Sequence, residues 1–151
     1  MRIAARLEEM GIELPHAAAP VASYAPVVIH SGLAHVSGQL PFNDGSLVKG
    51  RLGEDVSLAE GVEAARLCGL MILAQLKAAE ILEDVERVVR LGAFVSSTPE
   101  FTDHPKIANG ASDLMLEVFG DAGRHARAAV GVAALPLGAA VEVDAVIALK
   151  A

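Results

Sequence analysis

The chain has 151 residues, 53% of them hydrophobic but only 3% aromatic, no tryptophan, and a formal net charge of −7. Its twelve lysines and arginines are scattered; a polyphosphate groove needs them clustered, so the composition argues against a nucleic-acid partner. The longest charge-free helical stretch, 67–76, falls far short of the ~20 apolar residues that span a bilayer, which argues against a membrane protein.

The length suits one domain over residues 1–151, with 1–21 as an N-terminal helix and linker. The apolar mass is mainly alanine, leucine and valine, so the core must rest on close backbone approach rather than large anchors. Such a chain buries little area per residue, and further burial in an oligomer is expected. The one cysteine, Cys68, cannot form an internal disulfide and reads as a buried thiol in a reducing compartment. Met1-Arg2 leads straight into a charged amphipathic pattern rather than a leader, so the expected location is cytoplasmic.

A short helix is predicted over 2–11, ending at Gly11, followed by an irregular linker through Pro15 and Pro20. Residues 27–30 and 33–37 flank Ser31-Gly32, a two-residue hairpin signal. The glycine-rich, polar stretch 41–54 reads as a loop. Ser57 and Glu60 form a capping-box pattern that opens a helix running to about residue 80. Leu58, Val62, Ala65, Gly69, Ile72, Leu73, Leu76 and Ala79 repeat on its helical period and should face a sheet. Residues 85–97 read as a strand, with Val89, Leu91, Ala93 and Val95 on one face.

Asp103-His104-Pro105 starts a second helix, with proline where a missing N–H costs nothing, and Gly120 ends it. Gly110 inside that helix marks close packing, since glycine there costs about 1 kcal/mol against alanine. Two more strands follow. In the last, Val141, Val143, Ala145, Ile147 and Leu149 share one face, while Glu142, Asp144, Val146 and Ala148 share a mixed one. The order β-β-α-β-α-β-β after a leading helix gives an α+β fold, a mixed sheet with two helices on one face. A subunit interface on the other face would account for its mixed character.

Few patterns carry chemistry. His16, His30, His35, His104 and His125 show no metal-ligand spacing, so no metal is expected. There is no phosphate cradle and no Gly-x-Ser-x-Gly elbow. Ser37-Gly38-Gln39 has a glycine at a strand end, either a β-bulge or a place where a ligand approaches backbone. Arg127 opens a small-residue strand, and Glu142 lies in the next. An arginine fork suits a carboxylate ligand, and a glutamate can position or deprotonate water. Equally, the two could be strand-end charges, solvated or paired with each other. In a simple hairpin across 136–138 they would stand about 15–20 Å apart. Either the strands are not simple neighbours or a site closes between subunits.

The stretch Ala126-Arg127-Ala128-x-Val130-x-x-Ala133-x-Leu135-Pro136, with Val141-Glu142-Val143, resembles the C-terminal signature of the Rid family, also called YjgF or L-PSP endoribonuclease-like. Tyr24, Val36-Ser37-Gly38-Gln39-Leu40-Pro41 and the helix-strand-helix order extend the resemblance over roughly 22–149. It is most similar to a longer subgroup with an extra N-terminal helix and the segment Ala108-Asn109-Gly110-Ala111-Ser112-Asp113. The resemblance implies a chorismate-mutase-like fold and a homotrimer whose sheets form a central barrel, with ligand clefts between subunits. It also implies hydrolysis of enamines and imines of the 2-aminoacrylate type to 2-keto acids and ammonia, without a cofactor. On that reading Arg127 binds the substrate carboxylate and Glu142 positions water. Tyr24 contacts the ligand, and Gly38 and Ala129 offer backbone groups. His125, Ala129 and Ala22-Ser23 depart from the pattern, which bears on the substrate rather than the fold. Two rivals are a non-catalytic module for a small carboxylate such as a 2-keto acid, and a nuclease, which the acidic charge opposes. Chorismate mutase chemistry would rest on fold analogy alone.

Overall fold

The computed structural model describes residues 2–20 and 22–151. Helix α1 (Ile3–Glu9) and the linker lead to β1 (Val27–His30) and β2 (Leu33–Gln39). Ser31 and Gly32, with φ of 52° and 75°, form the two-residue turn whose twist matches that of the strands. Helix α2 (Leu58–Ala78) begins with the expected box: the Glu60 N–H donates to Ser57 Oγ at 3.1 Å, and the Ser57 N–H donates to Glu60 Oε1 at 3.0 Å. The predicted loop before it carries structure that was not expected there. Strands β3 (Phe42–Asn43) and β4 (Ser46–Leu47) pair around Asp44-Gly45, and bridges tie Lys49 to Ala139 and Leu52 to Ser97. These pairings are too short and too distant in sequence to leave a periodic signal.

The remaining elements are β5 (Val85–Ser96), α3 (His104–Phe119, with proline in its first turn), β6 (Ala126–Val132) and β7 (Val141–Leu149). The five-stranded sheet has the order β1-β2-β7-β5-β6, antiparallel except for the parallel pair β5–β6. Parallel neighbours need a long crossover, and α3 supplies it. The last two strands are therefore not a hairpin, because β5 lies between them.

Helices α2 and α3 cover one face of the sheet. Val141, Val143, Ala145 and Ile147 are buried beneath them, as alternation predicts. In β5 the alternation breaks: register shifts between Val85 and Arg87 and between Val88 and Arg90 put Val88 in the core and turn Val89 outward. The face of α2 also differs from expectation. Leu58 and Ala79 are exposed, and burial extends to Gly61, Ala64, Cys68, Met71 and Gln75, because the helix is packed by the sheet and by α3 together.

That double packing uses bare backbone. A β-carbon on Gly61 would lie 2.6 Å from Ile107 Cδ1, one on Gly69 would lie 2.9 Å from Leu114 Cδ2, and one on Gly110 would overlap the Val62 carbonyl oxygen. Cys68 is fully buried, with its thiol 3.6 Å from the Val141 carbonyl, and burial pushes its pKa well above the ordinary thiol value. It is a core side chain rather than a nucleophile.

The opposite face has no element packed on it among the described residues. Register places Val28, His35, Val146, Phe94 and Val130 there, together with Glu142 and Asp144.

Gly110→Ala should lower stability by about 1–3 kcal/mol, since the added methyl meets backbone that cannot rotate away. The urea midpoint measures this, and an unchanged midpoint would show that the helices can separate at no cost.

Candidate functional site

Arg127 pairs in register with Leu91, a core residue, so in this parallel pair it points to the helix-covered face at the sheet's edge. There it meets one stripe of α3, positions 105, 109 and 112, spaced four and three apart as one helical face requires. Arg127 Nη1 donates to Asn109 Oδ1 at 2.8 Å and to Ser112 Oγ at 3.1 Å, and Nη2 donates to the Pro105 carbonyl at 3.4 Å. All three acceptors are neutral. Among the described residues no carboxylate lies within 4.0 Å of the guanidinium, and nothing accepts from its Nε–H. The group is thus held in place with its charge unanswered and a donor to spare.

Behind it stands His125. Its Nδ1 lies 2.6 Å from the Gly123 carbonyl, which can only accept, so in the neutral ring Nδ1 carries the proton. Nε2 then accepts from the Ser112 hydroxyl at 2.8 Å, and that same oxygen accepts from Arg127. The chain from Gly123 through His125 and Ser112 to Arg127 has one consistent direction and fixes the guanidinium. His125, a departure from the resembled signature, thus holds Arg127 through Ser112. Ala129 follows on the same face as Arg127, partly buried against the core. Among the described residues strand β6 has no neighbour on its outer side, so its outward backbone groups are unpaired within the sheet.

Glu142 is elsewhere. It pairs with Phe94 and points to the open face. Its carboxylate lies over Gly38: a β-carbon there would stand 2.8 Å from Glu142 Cδ and 2.9 Å from Oε2. Gly38 sits in the β-bulge between Val36 and Gln39, so the bulge and the close approach are one feature. The bulge is tied down on both sides. Ser37 Oγ donates to the Ala25 carbonyl at 2.8 Å, beside exposed Tyr24. The buried Gln39 Nε2 donates to the Ser37 carbonyl at 2.9 Å, and Gln75 of α2 donates to Gln39 Oε1 at 3.2 Å and to the linker carbonyl of Ala18 at 2.8 Å. No cation pairs with Glu142 among the described residues. Burial, and then neighbouring Asp144, raise its pKa above the ordinary carboxylate value.

The five expected residues thus fall into two groups, Arg127 with Ala129 and Glu142 with Gly38 beside the Tyr24 segment. Two strand spacings and a three-residue offset separate Arg127 from Glu142, about 14 Å between α-carbons. They also lie on opposite faces of the sheet. Pattern reading gave Asn109 and Ser112 no role, although their spacing from Pro105 was visible. It also missed Arg51, which belongs to no pattern in the sequence. Among the described residues no cluster of three or more potential metal ligands occurs.

A model of the family described as "YjgF/chorismate mutase-like, putative endoribonuclease" matches residues 4–148. The chain belongs to that family. It is 54% identical to protein TCP17 of Trypanosoma cruzi over 152 residues, covering 99% of this chain and 95% of that one. Among solved structures it is similar to Atu1372 of Agrobacterium tumefaciens, a protein of unknown function, with 46% identity, a TM-score of 0.90 and coverage of 98% and 92% of the two chains. The same fold recurs in TdcF of E. coli, solved with bound serine, at 22% identity and a TM-score of 0.63, covering 91% and 94%. Family membership agrees with the α+β sheet and the helices described above.

The raised pKa of Glu142 has a measurable sign. The folded state favours the protonated carboxyl, so this group's favourable contribution is complete below its unfolded pKa of about 4.3 and is lost as pH rises through the folded value. Glu142→Gln should match the parent's melting temperature at about pH 4 and exceed it at about pH 7. A difference that stays flat across that interval would show Glu142 to be as well solvated folded as unfolded.

Proposed function

We propose that the protein hydrolyses small 2-imino acids, or their enamine tautomers, to 2-keto acids and ammonia in a cleft between subunits. The observation that carries this reading is the pair of unanswered charges. Among the described residues Arg127 has no counter-ion and Glu142 no cation, and the two stand on opposite faces of one sheet. One chain cannot bring them together, whereas a second copy packed on the open face can set its own Glu142 beside a neighbour's Arg127. A closed three-fold arrangement would use each copy's two half-sites once. The serine in TdcF, a small carboxylate-bearing molecule on the same fold, supports a ligand of this kind.

In the cleft, Arg127 clamps the substrate carboxylate with charge-assisted hydrogen bonds. This leaves the imine carbon near the neighbouring glutamate. Glu142 takes a proton from water as the oxygen adds to the C=N bond, and passes a proton to the nitrogen. Glu142 then carries the hydroxyl proton of this carbinolamine to the amino nitrogen as the C–N bond breaks, so ammonia leaves and the carbonyl of the 2-keto acid forms. Burial makes Glu142 a stronger base than an exposed carboxylate, which suits it to these transfers. Tyr24 closes the pocket, while backbone at Gly38 and Ala129 completes it. Binding without turnover is the alternative, and it separates by the absence of ammonia release.

Arg127→Ala should slow ammonia release from freshly generated 2-iminobutyrate by about a hundredfold or more, the loss expected when one partner of a desolvated charge pair is removed. Unchanged turnover would overturn the assignment. Refolding Arg127→Ala and Glu142→Ala chains together in equal amounts should restore about a quarter of parental activity, because a mixed trimer regains one intact cleft in three. A mixture no more active than its components would rule out the shared cleft.

A further inference from the structure

We propose that the pocket formed by Arg51, Ser97 and His104 is a second anion-binding site, which takes the carboxylate or phosphate group of a small metabolite. The pocket is an open depression of about 410 Å³ at the C-terminal ends of β5 and β6, and none of its lining residues is acidic. Its cation is Arg51. One guanidinium nitrogen, Nη2, donates to the Ser97 carbonyl at 2.9 Å, while Nε is buried and has no partner. No carboxylate lies within 4.0 Å of this guanidinium among the described residues. Arg51 as a whole is only half-buried, and the part of its guanidinium that lines the pocket keeps donors free for an anionic ligand.

The arrangement is constructed by the fold rather than left over from it. The Arg51 N–H donates to Asp55 Oδ1 at 2.7 Å, and the Arg51 carbonyl accepts from the backbone N–H groups of Glu54, Asp55 and Val56. Gly50, with φ of 126°, turns the chain into this knot where a side chain would collide with Asp55 and Val56. The bridge between Leu52 and Ser97 then registers Arg51 against the end of β5.

Facing Arg51, Ser97 Oγ lies 3.1 Å from His104 Nε2, and the histidine ring is braced edge-on by Phe101 at 5.3 Å. A β-carbon on Gly131 would be 2.5 Å from that Nε2 and 2.6 Å from that Oγ, so only glycine lets the pair close over β6. With His104 Nε2–H donating to Ser97 Oγ, the serine hydroxyl hydrogen is free, so the guanidinium and a hydroxyl oriented by the imidazole form a donor set for anionic oxygen with no carboxylate in the lining. Gly131 is four residues beyond Arg127, about 13 Å along the strand, and Arg127 lines no part of this pocket.

The test is histidine-ring NMR on the whole protein, titrated with inorganic phosphate and separately with sodium acetate at constant ionic strength. The His104 resonances, identified by their loss in His104→Gln, should shift saturably with at least one probe. Phosphate alone, acetate alone or both then distinguishes a phosphate site, a carboxylate site or a general anion site. Arg51→Gln should weaken that binding by about tenfold or more, and Arg127→Ala should leave it unchanged. Should Arg51→Gln fail to fold, Ser97→Ala keeps the carbonyl that Arg51 holds and should still weaken binding severalfold. No saturable shift with either probe overturns the proposal. So does binding that survives loss of both Arg51 and the Ser97 hydroxyl, or binding abolished by Arg127→Ala.

Discussion

Strand β5 is hydrogen-bonded on both sides, antiparallel to β7 and parallel to β6, and the placement of every charged group discussed above depends on it. A parallel partner cannot be reached by a tight turn, so the chain must leave the sheet, cross it and return. The crossover is α3, which therefore lies beside the edge strand it leads to. Arg127, near the start of β6, has that helix as its immediate wall. Without the parallel pairing of β6 to β5, nothing would oblige α3 to lie beside β6 and supply Asn109, Ser112 and the Pro105 carbonyl.

The crossover fits because the helices approach closely. A core with few aromatic side chains has little bulk with which to hold elements apart, and three glycines remove what remains at the α2–α3 contact. Close approach also fixes the rotation of α3, since Gly110 must face Val62. With that face committed, the stripe at 105, 109 and 112 is the one turned toward β6. Packing in the core and orientation of the guanidinium are thus one constraint, seen from two sides.

Among the described residues Arg127, Glu142 and Arg51 have no partner of opposite sign within 4.0 Å. Each is held by neutral groups or backbone, which fix a side chain's position without satisfying its charge. Glu142 rests on the bare backbone of Gly38, in a bulge that a glutamine pair connects to α2 and to the N-terminal linker. Charges held in this way gain no ion-pair energy within a lone chain, and burial raises the pKa of Glu142, the direction that desolvation of a carboxylate gives. Ligands and further copies of the chain are what they can answer to. The proposed cleft uses two of them, and the proposed anion pocket uses the third.

Much was readable from residue order. Local signals gave the Ser31-Gly32 turn, the Ser57–Glu60 box, Pro105 in the first turn of α3, the alternation of the last strand and the tight packing at Gly110, because each is set by a few adjacent residues. The C-terminal signature also led to the family. Pairing was beyond it: the sequence raised the doubt that β6 and β7 were neighbours, but only the fold inserted β5 between them. The bulges that turn Val89 outward and set Gly38 beneath Glu142 come from register between strands, which leaves no periodic trace. Arg51 is the extreme case, a single arginine in an apparent loop that becomes part of a site because Leu52 bridges a residue far along the chain. Sequence determined which elements form and which residues could carry charge. Tertiary structure decided which face each charge occupies, since a side chain's direction in a sheet depends on a partner strand that distant residues provide.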